Sequence, residues 1–364
     1  MINYNENFGF YGLRTIIMML ALLIVWGLIY WITNGDYKKL EKVLKFSVTL
    51  PVVLLIILMV RAVTLDGAGI GISHYLSIKE NTLMQVSTWR EASTQILMSL
   101  SIGMGQLIVY ASRTTKKSVV QNGVITVASN AFVSLLAGFV VFCSIGFFVT
   151  QQSVSWESVP GGPPLVFESY PAIILQMPGL ILGIGFIFFL MLFFLGIDSA
   201  FAVIEANMQP IIEKSKLDRK TISMTLCGIG FLLSTPYVIK GGTSWIYSID
   251  GVVVNYGVPL AVLFECIYFA HLNSLNDFRE QITTSTIVFG AWKMVIKYLA
   301  PMFLVYMLIL RIQSDFIETI GSESFLTNVV SFGVVMVAMG TGAVLIKKYV
   351  QKGEMSSAST GDFR

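Results

Sequence analysis

Nine stretches of this chain, each about twenty residues long and almost free of charge, leave few architectures open. A helix rises about 1.5 Å per residue, so roughly 20 apolar residues cross the ~30 Å hydrocarbon core of a bilayer. The stretches run from about Leu13–Thr33, Leu44–Leu65, Ser93–Ser112, Val124–Val149, Gly179–Met208, Thr221–Ile239, Trp245–His271, Met294–Ile312 and Leu326–Ile346. Inside lipid every backbone N–H and C=O must find a partner, and apolar runs of this length find them internally as helices. The expectation is an all-α integral membrane protein with about nine transmembrane helices. Composition agrees: 55% of the 364 residues are hydrophobic and 12% charged, with a mean hydropathy of +0.76. The first stretch does not read as a cleaved signal. Its apolar core is too long, a polar dozen residues precedes it, and Asn34-Gly35-Asp36-Tyr37-Lys38 is no small-residue cleavage site.

A net charge of +3 makes no case for nucleic acid, but the basic residues have a sidedness. Alternate connections collect 18 of the 24 Lys and Arg, from Lys38, Lys39, Lys42 and Lys45 through Lys214, Lys216, Arg219 and Lys220 to the C-terminal Lys347, Lys348, Lys352 and Arg364. The opposite side holds six: Arg14, Arg61, Lys79, Arg90, Lys240 and Arg311. The positive-inside rule makes the first side cytoplasmic, with the C-terminus inside and the amino terminus outside. Of the outer connections, the segment 151–177 has no Lys or Arg. Its Pro-Gly-Gly-Pro-Pro cluster precedes short apolar stretches, which suits a cap folded back on the membrane face. Cys143, Cys227 and Cys266 fall within apolar segments without metal-ligand spacing and read as small buried hydrophobes.

Polar groups inside the spans are where function is expected. In REASTQILMSLSIGMGQLIVYASR, Gln95, Ser99 and Ser101 lead into Gly103 and Gly105. Two glycines beside serines weaken helix propagation, which suits a broken helix lining a cavity; close packing through small residues is an equal reading. Asn130 and Ser134 stand four apart, on one helix face. For Asn and Ser an interhelical hydrogen bond is the better reading. Asp198 differs. In FFLGIDSAFAVIEA it ends a run uncharged back to Glu168, with Glu205 farther along. A carboxylate in hydrocarbon needs a cation, a proton or water, and no Lys or Arg sits at mid-depth in any span. With oxygen ligands alone on offer, a hard ion such as sodium fits better than a transition metal. His74 and His271 lie at loop edges and make no metal pair.

LGIDSAFAVIEA, STWREASTQILMSLSIGMGQLIVYASR, GGPPLVFESYP and YSIDGVVVNYGVPLAVLFE together resemble the neurotransmitter:sodium symporters, over essentially the whole chain and in the family's order from helix 4 to helix 12. The resemblance implies the inverted-repeat transporter fold of the LeuT type. Residues 1–66 then hold the last two helices of the first repeat, 67–92 an outer loop, and 93–271 the second repeat with its cap at 151–177. Two C-terminal helices follow in 272–349, and a cytoplasmic tail in 350–364. It also implies a sodium-coupled symporter of small amino acids or related amines in the plasma membrane, with no enzymatic activity.

Position by position, the resemblance puts one sodium site on the Leu195 carbonyl, Asp198 and Ser199, and gives Ser99 and Asn130 to a second. The chloride ligands of chloride-dependent members match Gln95, Ser99, Asn130 and Ser134, which favours chloride dependence. Met98, Ser99, Ser101, Met104, Ser199 and Val203 fall beside the substrate, and Asp250 matches the acidic half of the outer gate. The apolar Met98, Met104 and Val203 favour a hydrophobic side chain, and the short tails resemble those of microbial amino acid carriers.

The family's first three helices have no counterpart here, and losing them makes the next helix start outside, as the Lys and Arg sidedness demands. The expectation is therefore an N-terminally truncated chain: a remnant that does not transport, or one half of a two-chain transporter whose partner supplies the missing helices. An intramembrane aspartyl protease using Asp198 and Asp250 is remote. Such enzymes want Gly-x-Gly-Asp, whereas Leu195-Gly196-Ile197-Asp198 stands here and Asp250 lies near an outer helix end.

Overall fold

The computed structural model describes residues 8–319 apart from 36, 79–80, 113–118, 180, 216, 239–241, 273–274, 276–278 and 280–284, together with Gly333. In chain order its α-helices are α1 (Phe8–Thr33), α2 (Tyr37–Val63), α3 (Ala68–Leu76), α4 (Val86–Ser99), α5 (Gln106–Ser112), α6 (Val119–Gln152), α7 (Tyr170–Gln176), α8 (Ile181–Lys214), α9 (Arg219–Ser234), α10 (Gly242–Val252), α11 (Val258–Ile267), α12 (Thr286–Met294) and α13 (Ala300–Thr319). No strand occurs among the described residues.

Among the described residues, seven helical stretches are long and apolar enough to cross a membrane: Leu13–Thr33, Lys45–Val63, Gln121–Gln152, Ile181–Lys214, Arg219–Val238, Trp245–Ala270 and Ile287–Asp315. They answer to seven of the nine expected spans. The expected span Ser93–Ser112 is interrupted between α4 and α5. The expected span Leu326–Ile346 lies, but for Gly333, outside the described residues. The stretch expected from Met294 starts seven residues earlier, so Lys293 and Lys297 sit within helical structure rather than in a connection. Long lysine stems tolerate this, and Lys297 Nζ lies 5.5 Å from the centre of the Tyr298 ring.

The chain divides into two compact units. One comprises residues 36–89 and 121–200: α2, α3, most of α6, the segment after it, α7 and α8 as far as Ala200. Its core joins Leu54, Leu55 and Leu58 of α2, Val140 and Phe147 of α6, and Phe188 and Met191 of α8. Tyr170, Ile173, Ile174 and Met177 belong to the same core, so the segment after the Pro-Gly-Gly-Pro-Pro cluster turns back and buries its apolar residues. Tyr170 Oη lies 2.9 Å from Ser144 Oγ, and burial pushes its phenol up to about 12. α3 meets α6 backbone to backbone: a Cβ on Gly71 would stand 2.1 Å from the Phe142 carbonyl oxygen. Beside this contact His74 stacks flat on Trp156 at 4.2 Å. Within α2, Pro51 has no N–H to offer the carbonyl of Ser47.

The other unit comprises residues 1–35, 90–120 and 201–364. Here α1 lies along α9, with Trp26 against Gly230 and its Nε1 donating to Ser234 Oγ at 3.3 Å. A second cluster joins Leu97 of α4 with Val258, Val262 and Cys266 of α11 and Leu304 of α13. Asp218 caps α9 by accepting from the Thr221 N–H and hydroxyl, which holds its carboxyl below the usual carboxylate range. The three cysteines are buried and free, as expected of small hydrophobes.

Candidate functional site

In the unit built on α2, α6 and α8, helical spacing sets Leu195, Asp198 and Ser199 on one face of α8. That face lines a cavity of about 560 Å³. Val48, Pro51, Val52 and Leu55 of α2 and Val133, Ala137 and Val140 of α6 make its apolar wall, and Leu165, Val166 and Tyr170 of the returning segment also line it. Its polar lining consists of Ser129, Asn130, Asp198 and Ser199, with the Tyr170 phenol; no Lys or Arg is part of it. Four of the residues singled out from sequence, Asn130, Leu195, Asp198 and Ser199, thus share one cavity.

Asp198 carries the electrostatic weight. Its Oδ1 is the one buried side-chain nitrogen or oxygen without a hydrogen-bond partner among the described residues. A buried, incompletely bonded carboxylate oxygen in an apolar wall is unstable without a positive partner. A hard monovalent cation, met by Oδ1 and neighbouring hydroxyl, amide and carbonyl oxygens, satisfies it. Among the described residues no three His, Cys, Asp or Glu side chains converge on a point.

In the other unit, the third stretch is broken, one of the two readings that its glycines and serines left open. α4 ends at Ser99; Leu100 and Ser101 still donate to Ile96 and Met98, Ile102 reaches back five residues to Leu97, and the ladder resumes when Val109 donates to Gly105. Ser101 has φ 52°, Gly103 79° and Gly105 76°, the left-handed values that end a helix. Gly103 is required twice over, because a Cβ there would also come within 2.7 Å of Val262 Cγ2. Met98 and Met104 on either side of the break pack against the α4–α11–α13 cluster, leaving Gln95 and Ser99 exposed. Val203 is exposed on α8, as are Asp250 on α10 and Ser134 on α6, one turn beyond Asn130.

One feature escapes the sequence reading. Glu205, noted as an intramembrane carboxylate, is matched by Arg219, whose Nη2 lies 2.6 Å from Oε2. Glu205 thus has its counter-charge, whereas Asp198 Oδ1 has no partner among the described residues.

Comparison with known proteins gives a consistent result. The model of the Sodium:neurotransmitter symporter family matches residues 1–352. An uncharacterized sodium-dependent transporter of Methanocaldococcus jannaschii is 31% identical over 341 residues, 92% of this chain and 68% of that protein. The sodium- and chloride-dependent glycine transporter 2 of Xenopus laevis is 31% identical over 73% of this chain and 34% of its own length. The human sodium- and chloride-dependent neutral and basic amino acid transporter B(0+) is 32% identical over 72% of this chain and 42% of its own length. The matched region therefore spans about two thirds of the first relative and well under half of the other two.

Proposed function

This chain belongs to the sodium:neurotransmitter symporter family, whose members are transporters rather than enzymes, and we propose that it serves sodium-coupled symport of small amino acids or related amines across the plasma membrane. One observation carries the reading: Asp198 Oδ1, buried and without a hydrogen bond, on the α8 face that lines the cavity with Asn130 and Ser199. Sodium is a co-transported substrate here. The Leu195 carbonyl, Asp198 and Ser199 are its proposed ligands on α8, with Asn130 and Ser99 contributing to a second ion.

Substrate contact is assigned to the broken segment around Met98, Ser99, Ser101 and Met104 and to Ser199 and Val203. Backbone groups released where a membrane helix unwinds are suited to a charged amino or carboxyl group. The methionines and Val203 favour an apolar side chain. Chloride dependence is part of the proposal, on the presence of Gln95, Ser99, Asn130 and Ser134 and on two relatives described as chloride-dependent. Asp250 is the proposed outer-gate acid, and the C-terminus is assigned to the cytoplasm. Residues 1–66 are assigned as the last two helices of the first inverted repeat and 93–271 as the second repeat. A separate chain supplying further helices is a partner that co-expression tests directly.

The test is uptake of radiolabelled glycine, alanine and leucine into proteoliposomes under an inward sodium gradient, with and without co-expressed helices from the archaeal relative. Uptake that persists when choline replaces sodium, or that Asp198→Asn leaves unchanged, overturns the sodium reading. Uptake unchanged when gluconate replaces chloride removes the chloride part alone.

A further inference from the structure

In the unit that holds the broken segment, α4, α11 and α13 enclose a small pocket of about 20 Å³. Arg90 of α4, Arg311 of α13 and Asn255 of the π-helical turn Val253–Gly257 line it, together with the buried Leu97, Leu304 and Leu308. Among the described residues no Asp or Glu is part of that lining. The two arginine side chains are 21% and 25% exposed, and each has its carboxylate partner off the pocket. Arg90 reaches Glu91 with Nε and Nη2 at 3.2 Å, and Arg311 reaches Asp315 with Nε at 3.0 Å. A guanidinium has five N–H donors, more than either contact uses.

The other polar groups narrow the chemistry. Ser93 and Thr94 also line the pocket, but their hydroxyls donate to the Arg90 carbonyl at 2.8 and 3.1 Å. Asn255 gives one amide hydrogen to the Gly251 carbonyl at 2.7 Å and has a second. The protons on offer to a ligand are therefore those of two cations and an amide. Two positive charges lining one void repel, and an anion between them turns both interactions into attractions. Space sets its size: about 20 Å³ admits roughly one water-sized body, so a single-atom anion fits and an amino acid does not.

We propose that Arg90, Arg311 and Asn255 form a halide site, with chloride as its ligand, that fastens the start of α4 to α11 and α13. Guanidinium groups are weakly hydrated among cations, which keeps the cost of drying such a site low. The site shares no residue with the set Gln95, Ser99, Asn130 and Ser134, and it does not depend on the sodium reading. Its effect falls on the half-helix that runs from Arg90 to the break after Ser99.

The experiment is equilibrium binding of radioactive chloride to the purified full chain in detergent, at fixed sodium with gluconate as the balancing anion. Variants are made in an Asn130→Ala, Ser134→Ala background, which takes away the other chloride set. That background is expected to bind chloride still, and to melt at a higher temperature in chloride than in gluconate. Adding Arg90→Gln or Arg311→Gln is expected to raise the half-saturating chloride concentration roughly tenfold, the scale of one hydrogen bond to a charged group, and to shrink the chloride-dependent rise in melting temperature. A background that binds no chloride overturns the proposal, and so do two Gln variants that bind it as the background does. Should these variants fail to fold, bromide and the wild-type chain decide. Crystals grown in bromide are expected to show an anomalous peak between the two guanidiniums, and a pocket without one overturns the proposal.

Discussion

Arg219 holds Glu205 through two guanidinium nitrogens, Nη2 at 2.6 Å from Oε2 and Nη1 at 3.3 Å from Oε1, while its Nε donates to the Thr33 carbonyl at 2.9 Å. Thr33 in turn shares a 2.6 Å hydrogen bond with Ser223. One cation thereby ties the ends of α1 and α8 to the start of α9 in a group where Glu205 is 1% exposed.

Removing one partner of such a pair strands a buried charge. Arg219→Ala and Glu205→Ala are each expected to destabilise the protein by about 3 kcal/mol, read as a lower melting temperature in detergent. The double variant Arg219→Met with Glu205→Leu is expected to recover most of that loss, because it leaves no charge behind. A double variant as unstable as the sum of the single ones would contradict the direct pairing.

Backbone contact between α3 and α6 makes a steric prediction. Ala at position 71 would drive its Cβ into the Phe142 carbonyl oxygen, which belongs to the backbone and cannot rotate away. Gly71→Ala is expected to lose about 3 kcal/mol of stability, the upper end for an overpacked site. Gly27, with nothing near its would-be Cβ, is the control: Gly27→Ala in the middle of α1 is expected to stabilise by about 0.5–1 kcal/mol.

The two glycines of the broken segment separate strain from space. Both have a left-handed φ, which any other residue adopts at roughly 1–2 kcal/mol. A Cβ at Gly105 meets only Ala206 Cβ at 4.0 Å, whereas one at Gly103 also meets Val262 at 2.7 Å. Gly103→Ala is therefore expected to reduce stability and sodium-dependent substrate binding more than Gly105→Ala, by about 1 kcal/mol or more. Equal losses would mean that the α4–α11 approach is looser than it stands here.

Tyr170 gives the returning segment an alkaline signature. Its phenol is raised from the ordinary 10 to about 12 by burial, so above pH 10 the unfolded chain releases a proton that the folded one keeps. The contribution is intact below pH 10 and falls as pH rises toward 12, by about 1.4 kcal/mol per pH unit. Unfolding of the wild type and Tyr170→Phe, compared between about pH 9 and 11, is expected to show this extra alkaline loss in the wild type alone.

Much of this was readable from residues in order. Seven apolar runs became membrane-length helices because hydropathy over about twenty residues is a local property, and lipid leaves the backbone no alternative to helix. A break after Ser99 was one of two readings that the glycines allowed, since a glycine's access to positive φ depends on its own missing side chain. That Asp198 needs a positive partner also followed from sequence alone, since a carboxylate far from any Lys or Arg must be neutralised.

Which groups stand across from one another was decided by tertiary structure. The spacing of Glu205 and Arg219 did not reveal their pairing. The return of Tyr170 to Ser144 depends on how the Pro-Gly-Gly-Pro-Pro cluster turns the chain. Each of these contacts joins residues on different helices, and the register between helices comes from packing such as Phe46 on Phe194, a property of two surfaces that neither segment carries by itself. The apolar runs and glycines dictated the helices and the place where one must break; the packing of α2, α6 and α8 decided that Asp198 would face a cavity with one oxygen unsatisfied.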